Sequence, residues 1–518
     1  MRAAPGSVAR TARWIALAAF LVYAATGGGR ITGSDELTMF ELSRALLHGS
    51  IAVPEGATLR GPDGRFYSKN AAGQAVLALP LVAISDAAAS RFSEGRRVLA
   101  ARFGASFFNA FVTAILLGVF YAAARALGAS SGAAFGGTIL LGFTTPLWVY
   151  SKSFMAEPLE ALGLLLAATG AARASGGDPR ALRHSALGAF LAVSAKLVML
   201  PLAIICLLPL FVRRGDGNPI PRRWLPLLGI LAAIAVHLLY NFARFGTPLE
   251  TGYGAQASPS AYSTPPWAGL YGLLLSSGKG ILWFAPALWL LPRGFARLWN
   301  AAGGSRSPAA HAARMLASTT AAAWILALAL YSGFEHWAGD GSFGPRYLLP
   351  VLPLAFLVVT FSLEGASRAR RRVAVALGVL GALIQIGGVF IYFGAQMREA
   401  GDYPYALSLS DPRFMSDSHF NPRFTPIAGH WRMLLRNVGE HLQGNGPRLT
   451  GEGAADLRLG IPAGDQRQLL HALDVWWMYA RYEAVPALPI YAALLALVLL
   501  AVWAWSRALV SRAAERAT

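Results

Sequence analysis

Charge is scarce in this chain, and the side chains that most often carry chemistry are scarcer still. Among 518 residues there are one cysteine and four lysines. The cysteine, Cys206, lies inside an apolar run, which excludes a disulfide framework and a cysteine metal site. Only 14% of the residues are charged, where a soluble protein carries about 25%. Acids are fewer than bases, 26 against 45, and the formal net charge is +19. Such an excess can mark a nucleic-acid binder, but these arginines form no single basic face. They cluster at the ends of apolar segments: Arg213, Arg214, Arg222 and Arg223; Arg368, Arg370, Arg371 and Arg372; Arg507, Arg512 and Arg516. That is the pattern of cytoplasmic loops under the positive-inside rule, and no nucleic-acid partner is expected from it.

What the chain has in quantity is apolar sequence, 55% of its residues, with a mean hydropathy of +0.47. Runs such as 110–120, 191–212 and 484–505 imply many membrane spans, hence an all-α polytopic membrane protein. The first apolar segment follows Arg2, Arg10 and Arg13 as a signal peptide would. Gly27-Gly28-Gly29-Arg30 is not a cleavage pattern, so a retained signal anchor is expected. With the arginine clusters inside, crossings are expected at 14–26, 103–124, 132–150 and 159–172. That last crossing returns to Arg173, Arg180 and Arg183, and the about 28 residues between those arginines and Arg213 are too few for two spans of about 20. Two short helices meeting near Lys196 at the outer face satisfy both flanks. Crossings at 224–240, 281–298, 315–331, 347–361, 375–393 and 484–505 bring the total to about twelve.

Residues 27–102 then form a long outer loop. Its apolar part, 75–89, is too short for a bilayer of about 30 Å at about 1.5 Å per residue, and is placed at the interface. The organisation expected is a membrane region 1–395, a periplasmic segment 396–483 and a last transmembrane helix with a cytoplasmic tail, 484–518. The segment 396–483 ends in Trp476-Trp477-Met478-Tyr479, an aromatic belt.

Within the first outer loop, Gly33-Ser34-Asp35-Glu36 opens a short helix. Ser34 is the expected N-cap, which places both acids in the first turn, where the helix dipole favours ionised carboxylates. Met39, Leu42 and Leu46 share one face and Glu41, Arg44 and His48 another, the pattern of an amphipathic helix on a bilayer surface. Other uncommon polar groups fall on the same outer side: Tyr67-Ser68-Lys69, Tyr150-Ser151-Lys152, Glu157, Lys196, Asn241, Arg244, Lys279, Glu335, His336, Asp340 and Arg346. All four lysines are in that set. An ionisable group at membrane depth is costly and marks function by default. The collection suits group transfer from a phosphate-bearing lipid, with Lys69, Lys196, Lys279 and Arg346 holding the phosphate and Asp35 taking the acceptor's proton. Tyr67, Tyr347 and His336 are the substrate-binding candidates. No Walker loop, zinc helix or nucleophile elbow is present.

Asp35-Glu36 after the first span, followed by Tyr67-Ser68-Lys69-Asn70-Ala71-Ala72-Gly73-Gln74, resembles the first outer loop of GT-C glycosyltransferases. The nearest resemblance is to the protein O-mannosyltransferase-like group that also contains the aminoarabinose transferase of lipid A. The runs Tyr240-Asn241-Phe242-Ala243-Arg244-Phe245-Gly246-Thr247-Pro248-Leu249-Glu250-Thr251-Gly252-Tyr253-Gly254 and Ser342-Phe343-Gly344-Pro345-Arg346-Tyr347-Leu348-Leu349-Pro350 are similar to those of bacterial members. The resemblance implies a GT-C fold with amphipathic juxtamembrane helices in the first periplasmic loop, and a bacterial inner-membrane enzyme whose active site faces the periplasm. It implies inverting transfer of a sugar from a polyprenyl-phosphate-linked donor in the membrane to a lipid, glycan or protein acceptor of the envelope. It casts Asp35 as general base with Glu36 beside it, Glu157 as the acid of the second outer loop, and Arg102 as a further phosphate ligand. Asp35 and Glu157 can then share a side only if an even number of spans separates them, which keeps 75–89 out of the bilayer. Metal dependence varies in this family; Mg²⁺ or Mn²⁺ would be held by the carboxylate oxygens of Asp35, Glu36 and Glu157. Two other classes fit a polytopic chain: a lipid or oligosaccharide flippase, with charges deep in the spans and at both mouths, and an O-antigen ligase or polymerase, with arginine and histidine in a late loop.

Overall fold

The computed structural model describes residues 5–56, 58–212, 220, 222–303, 308–339, 341–399, 418–450, 462 and 464–517. Arg213, Arg214, Asp340 and much of 396–483 lie outside the described residues. The described residues are mostly helical. Helix α1 (Pro5–Ala25) leads to α2 (Ser34–Leu47). A small antiparallel ladder, β1 (Leu59–Arg60) and β2 (Phe66–Tyr67), sets Leu59 opposite Tyr67. Then come α3 (Ala72–Ala89), α4 (Glu94–Ala105), α5 (Phe108–Ala126), α6 (Ser131–Phe143) and α7 (Leu147–Tyr150). Next are α8 (Glu157–Ser175), α9 (Leu182–Ala195), α10 (Leu200–Leu207), α11 (Leu225–Phe245) and α12 (Pro266–Leu275). The short α13 (Ile281–Phe284) precedes α14 (Leu291–Gly303) and α15 (Pro308–Ser332). A 3-10 stretch, Arg346–Val351, feeds α16 (Leu352–Ser362), followed by α17 (Arg368–Phe390) and α18 (Phe393–Glu399). Last are α19 (Pro426–Leu442), α20 (Trp476–Tyr482) and α21 (Ala487–Ala517).

Seven helices among the described residues are long and apolar enough to cross a membrane: Gly6–Ala25, Ala72–Ala89, Arg96–Ala126, Leu225–Phe245, Ala309–Ser332, Arg368–Phe390 and Ala487–Glu515. Four other apolar helices are shorter: Ser131–Phe143, Leu197–Leu210, Pro266–Leu275 and Arg346–Ser362. This is an all-α polytopic membrane protein. Its outer helices expose aliphatic side chains that water would not tolerate in such number, including Leu228, Leu231 and Leu239 on α11 and Leu495, Leu499 and Val502 on α21. At the centre stands α8, every residue of which is buried except Arg173. It packs closely on α9 because glycines remove the side chains at the crossing. A Cβ at Gly163 would strike the backbone of Ala192 and Gly188, and one at Gly188 the backbone of Ala167.

Several expectations change in detail. Gly33, not Ser34, is the N-cap of α2, and the cap is closed from inside by Glu36, whose Oε2 accepts the Gly33 N–H at 2.9 Å. Lys196 interrupts α9 and α10 as expected, in extended backbone (φ −160°, ψ 126°), with Pro201 in the first turn of α10. The helix over 75–89 begins three residues earlier, at Ala72, and so joins those long enough to span. Both its ends are nonetheless tied to the 14-residue α2. Asn70, two residues before α3, donates to the Asp35 backbone oxygen, and Asp86 near its end pairs with Arg44 at 3.2 Å. Since α2 is only about 21 Å long, α3 lies alongside it. The expected span 281–298 is broken into α13, a 3-10 turn and α14 by Pro286 and Pro292.

Candidate active site

The first turn of α2, the loop before α3, the first turn of α8, the α9–α10 break and the 3-10 stretch after α15 all meet in one place. Lys69 Nζ lies 3.2 Å from Asp35 Oδ1, and Arg346 Nη1 lies 3.7 Å from Asp35 Oδ2. The same arginine reaches the other way, its Nε 3.8 Å from Glu157 Oε1. Arg346 therefore stands between the two carboxylates the sequence singled out. Its guanidinium also touches Met155 Sδ at 3.6 Å and the Tyr347 ring, with 5.1 Å to the centroid. Lys196 Nζ lies over that ring as well, at 5.4 Å, and adds its charge to the field at Asp35. Tyr347 is stacked on Tyr331, with centroids 4.5 Å apart, so the cations rest on a rigid aromatic wall.

Local sequence explains each placement. Asp35 and Glu36 follow one another in a helical turn and so point about 100° apart. Asp35 faces the cations. Glu36 faces the second loop, where its Oε1 accepts the Phe154 N–H at 2.7 Å while Oε2 takes the N–H groups of Gly33 and Thr32. Burial would push the Asp35 carboxyl up, but Lys69, Arg346 and Lys196 outweigh it and hold it below the usual carboxylate value. Burial pushes Glu36 up to about 7, aided by the charges of Asp35 and Glu157 against the pull of the Phe154 and Thr32 N–H groups. Burial would also lower Lys69, but Asp35 and Tyr253 keep its ammonium favoured. One half-buried carboxylate is thus kept ionised and its buried neighbour is poised to be neutral.

The other candidates lie elsewhere. Arg102 pairs with Glu41 at 3.8 Å, in a cluster with Arg44 and Asp86 that ties α2, α3 and α4 together. Lys279 is buried and its Nζ donates to the Ser342 carbonyl at 2.6 Å, to the Ser342 hydroxyl and to the Gly344 carbonyl. It fastens the turn that presents Arg346. His336 sits beside Glu335 at 3.2 Å and Gln256. Tyr67 donates its hydroxyl to Asp63 at 2.6 Å, closing the β1–β2 turn. Glu160 is a residue the sequence reading passed over. It is 1% exposed, one turn beyond Glu157 on α8, and its charge acts on Lys196; the i, i+3 spacing of two acids in an apolar helix was the available signal. Arg30 and Asp474 were likewise passed over, because nothing local links positions 30 and 474.

The carboxylates do not form a donor set for Mg²⁺ or Mn²⁺. The oxygens of Asp35 face cations, and those of Glu36 are taken by backbone N–H groups. Among the described residues no group of three or more His, Cys, Asp or Glu is arranged to hold a metal ion. No protein-family model and no curated protein matches this chain.

Proposed function

We propose that this protein is an inverting GT-C-type glycosyltransferase of the bacterial inner membrane, with about twelve crossings and its site at the periplasmic face. It moves a sugar from a polyprenyl-phosphate-linked donor to an envelope acceptor. The observation that carries the reading is the placement of Arg346 between Asp35 and Glu157, with Lys69 and Lys196 alongside. A set of cations gathered beside an ionised carboxylate is what displacement of a phosphate by a hydroxyl requires. In this reading the donor's phosphate enters between Lys69, Lys196 and Arg346. It competes with Asp35 for Lys69 and Arg346 and so loosens their hold on that carboxylate. Asp35 then accepts the proton of the acceptor hydroxyl as its oxygen attacks the anomeric carbon. The bond from that carbon to the phosphate oxygen breaks, and the polyprenyl phosphate leaves with its negative charge held by the cations. The twin engagement of α3 with α2 supports its placement along the membrane surface, which puts Asp35 and Glu157 on one side.

Profiling lipid-linked glycans in a deletion strain tests the reading. An accumulating polyprenyl-phosphate sugar together with an unmodified acceptor is the expected outcome. Unchanged pools of both would overturn it.

A further inference from the structure

Behind Met155 lies a cavity that the transfer chemistry leaves unused. It holds about 560 Å³ of empty space, its open mouth included, and is lined by Arg30, Thr32, Glu36, Lys152, Met155 and Asp474 among others. Met155 belongs to both places, since its sulfur touches Arg346. Five residues of chain separate Arg30 from Asp35, so their backbones are at most about 18 Å apart.

The two cations of this cavity lean on the same acid. Arg30 and Lys152 share one counter-ion, Asp474, at 2.8 Å each. Lys152 is saturated, because its ammonium also donates to the backbone oxygens of Val389 and Asp474. Arg30 is not. One of its Nη atoms is bound to Asp474, while its buried Nε makes no hydrogen bond. Its guanidinium carbon lies over the Tyr479 ring, 3.9 Å from the centroid, which holds the fork beside the cavity. Glu36 reaches the same wall, but its oxygens are occupied by backbone N–H groups. A forked cation with only one Nη engaged, at the wall of a half-enclosed cavity whose lining is mostly apolar, suits an oxyanion.

We infer that this cavity is the acceptor subsite, and that Arg30 selects an acceptor bearing an oxyanion, a phosphate ester or a carboxylate, near the hydroxyl that receives the sugar. The assignment of the anion to the acceptor rests on the transferase reading; the binding site itself does not.

Full-length protein in detergent micelles would be titrated with glucose 1-phosphate, glucuronate and glucose, following tryptophan fluorescence. The expected result is that both anions bind at least tenfold more tightly than glucose. Arg30→Gln should weaken both anions at least tenfold, whereas Arg432→Gln, on the exposed face of α19, should leave the preference in place. Arg30→Lys, which keeps the ion pair with Asp474 but loses the planar fork, should fold and bind several-fold more weakly than wild type. The inference is overturned by anions that bind no better than glucose, or by a preference that Arg30→Gln leaves unchanged. Phosphate preferred over carboxylate would name a phosphate ester, and the reverse a carboxylate; both uphold the subsite. Arg30-dependent binding in a protein without transfer activity would keep the subsite and discard the transferase.

Discussion

Asp35 and Glu36 are neighbours in one helical turn, yet the fold gives them opposite tasks. Asp35 is held ionised by three cations, and the replacement Asp35→Asn keeps its shape while removing the charge. Transfer should fall by about 10²- to 10⁴-fold, the usual worth of a general base, with the amount of protein in the membrane unchanged on an immunoblot. An active Asp35→Asn enzyme would remove it as base. Glu36 is a structural acid whose pKa in the fold, about 7, stands above its ordinary 4.5. The protonated form is the one the fold favours. Its contribution is therefore complete below about pH 4.5 and is lost as the pH rises through 7. Asp35, shifted down, loses its contribution only below its ordinary 3.8, so the two windows do not overlap. The thermal midpoint of Glu36→Gln in detergent should depend less on pH between 5 and 7 than that of wild type, which should lose up to about 3 kcal/mol across that window. Equal slopes for the two proteins would assign the pH dependence to other groups.

At the scale of elements, the site depends on how closely short helices approach one another. Gly73, in the first turn of α3, faces the end of α9; a Cβ there would run into the carbonyl oxygen of Ser194, two residues before Lys196. Gly73→Ala should push α3 and Lys69 away from Lys196. We expect a loss of about 1–3 kcal/mol of stability and a rise in donor KM larger than the rise in acceptor KM, measured by transfer kinetics. A variant that loses stability while both KM values stay fixed would make the contact purely structural. Lys279 acts at this scale too. Its bonds to Ser342 and Gly344 hold the turn before Arg346, and Lys279→Met should leave those buried carbonyls unpaired at about 1–3 kcal/mol each. The carboxy-terminal segment is joined to the rest through α20. The Trp476 N–H donates to the Gly27 oxygen, its indole to the Ala24 oxygen, and Gly29, at φ +65°, lets Trp476 and Phe103 close over it.

For the whole molecule the question is sidedness. Cys206 is buried, so a single introduced cysteine can be read without background. Arg65 is exposed at the tip of the β1–β2 turn, with its side chain 71% accessible, and Leu442 at the end of α19 is 85% accessible. Arg371 is exposed at the start of α17. Cysteine at 65 or 442 should react with an impermeant thiol reagent on intact spheroplasts, and cysteine at 371 only after permeabilisation. Reaction of all three on one side would break the arrangement of loops on which the proposed transfer depends.

Much of this protein was settled by local sequence. Hydrophobic run length, arginine placement and the Gly33-Ser34-Asp35-Glu36 helix start act over a few residues each, and they determined the membrane class, the existence of α2 and the break at Lys196. Tertiary structure decided what no local pattern encodes. It chose Asp35 over Glu36 to face the cations, set Arg346 between Asp35 and Glu157, sent Arg102 to Glu41, and paired Arg30 with Asp474 from the far end of the chain. The reason is physical. Hydropathy and helix propensity depend on near neighbours, whereas a buried charge is placed by whichever distant partner offsets its desolvation.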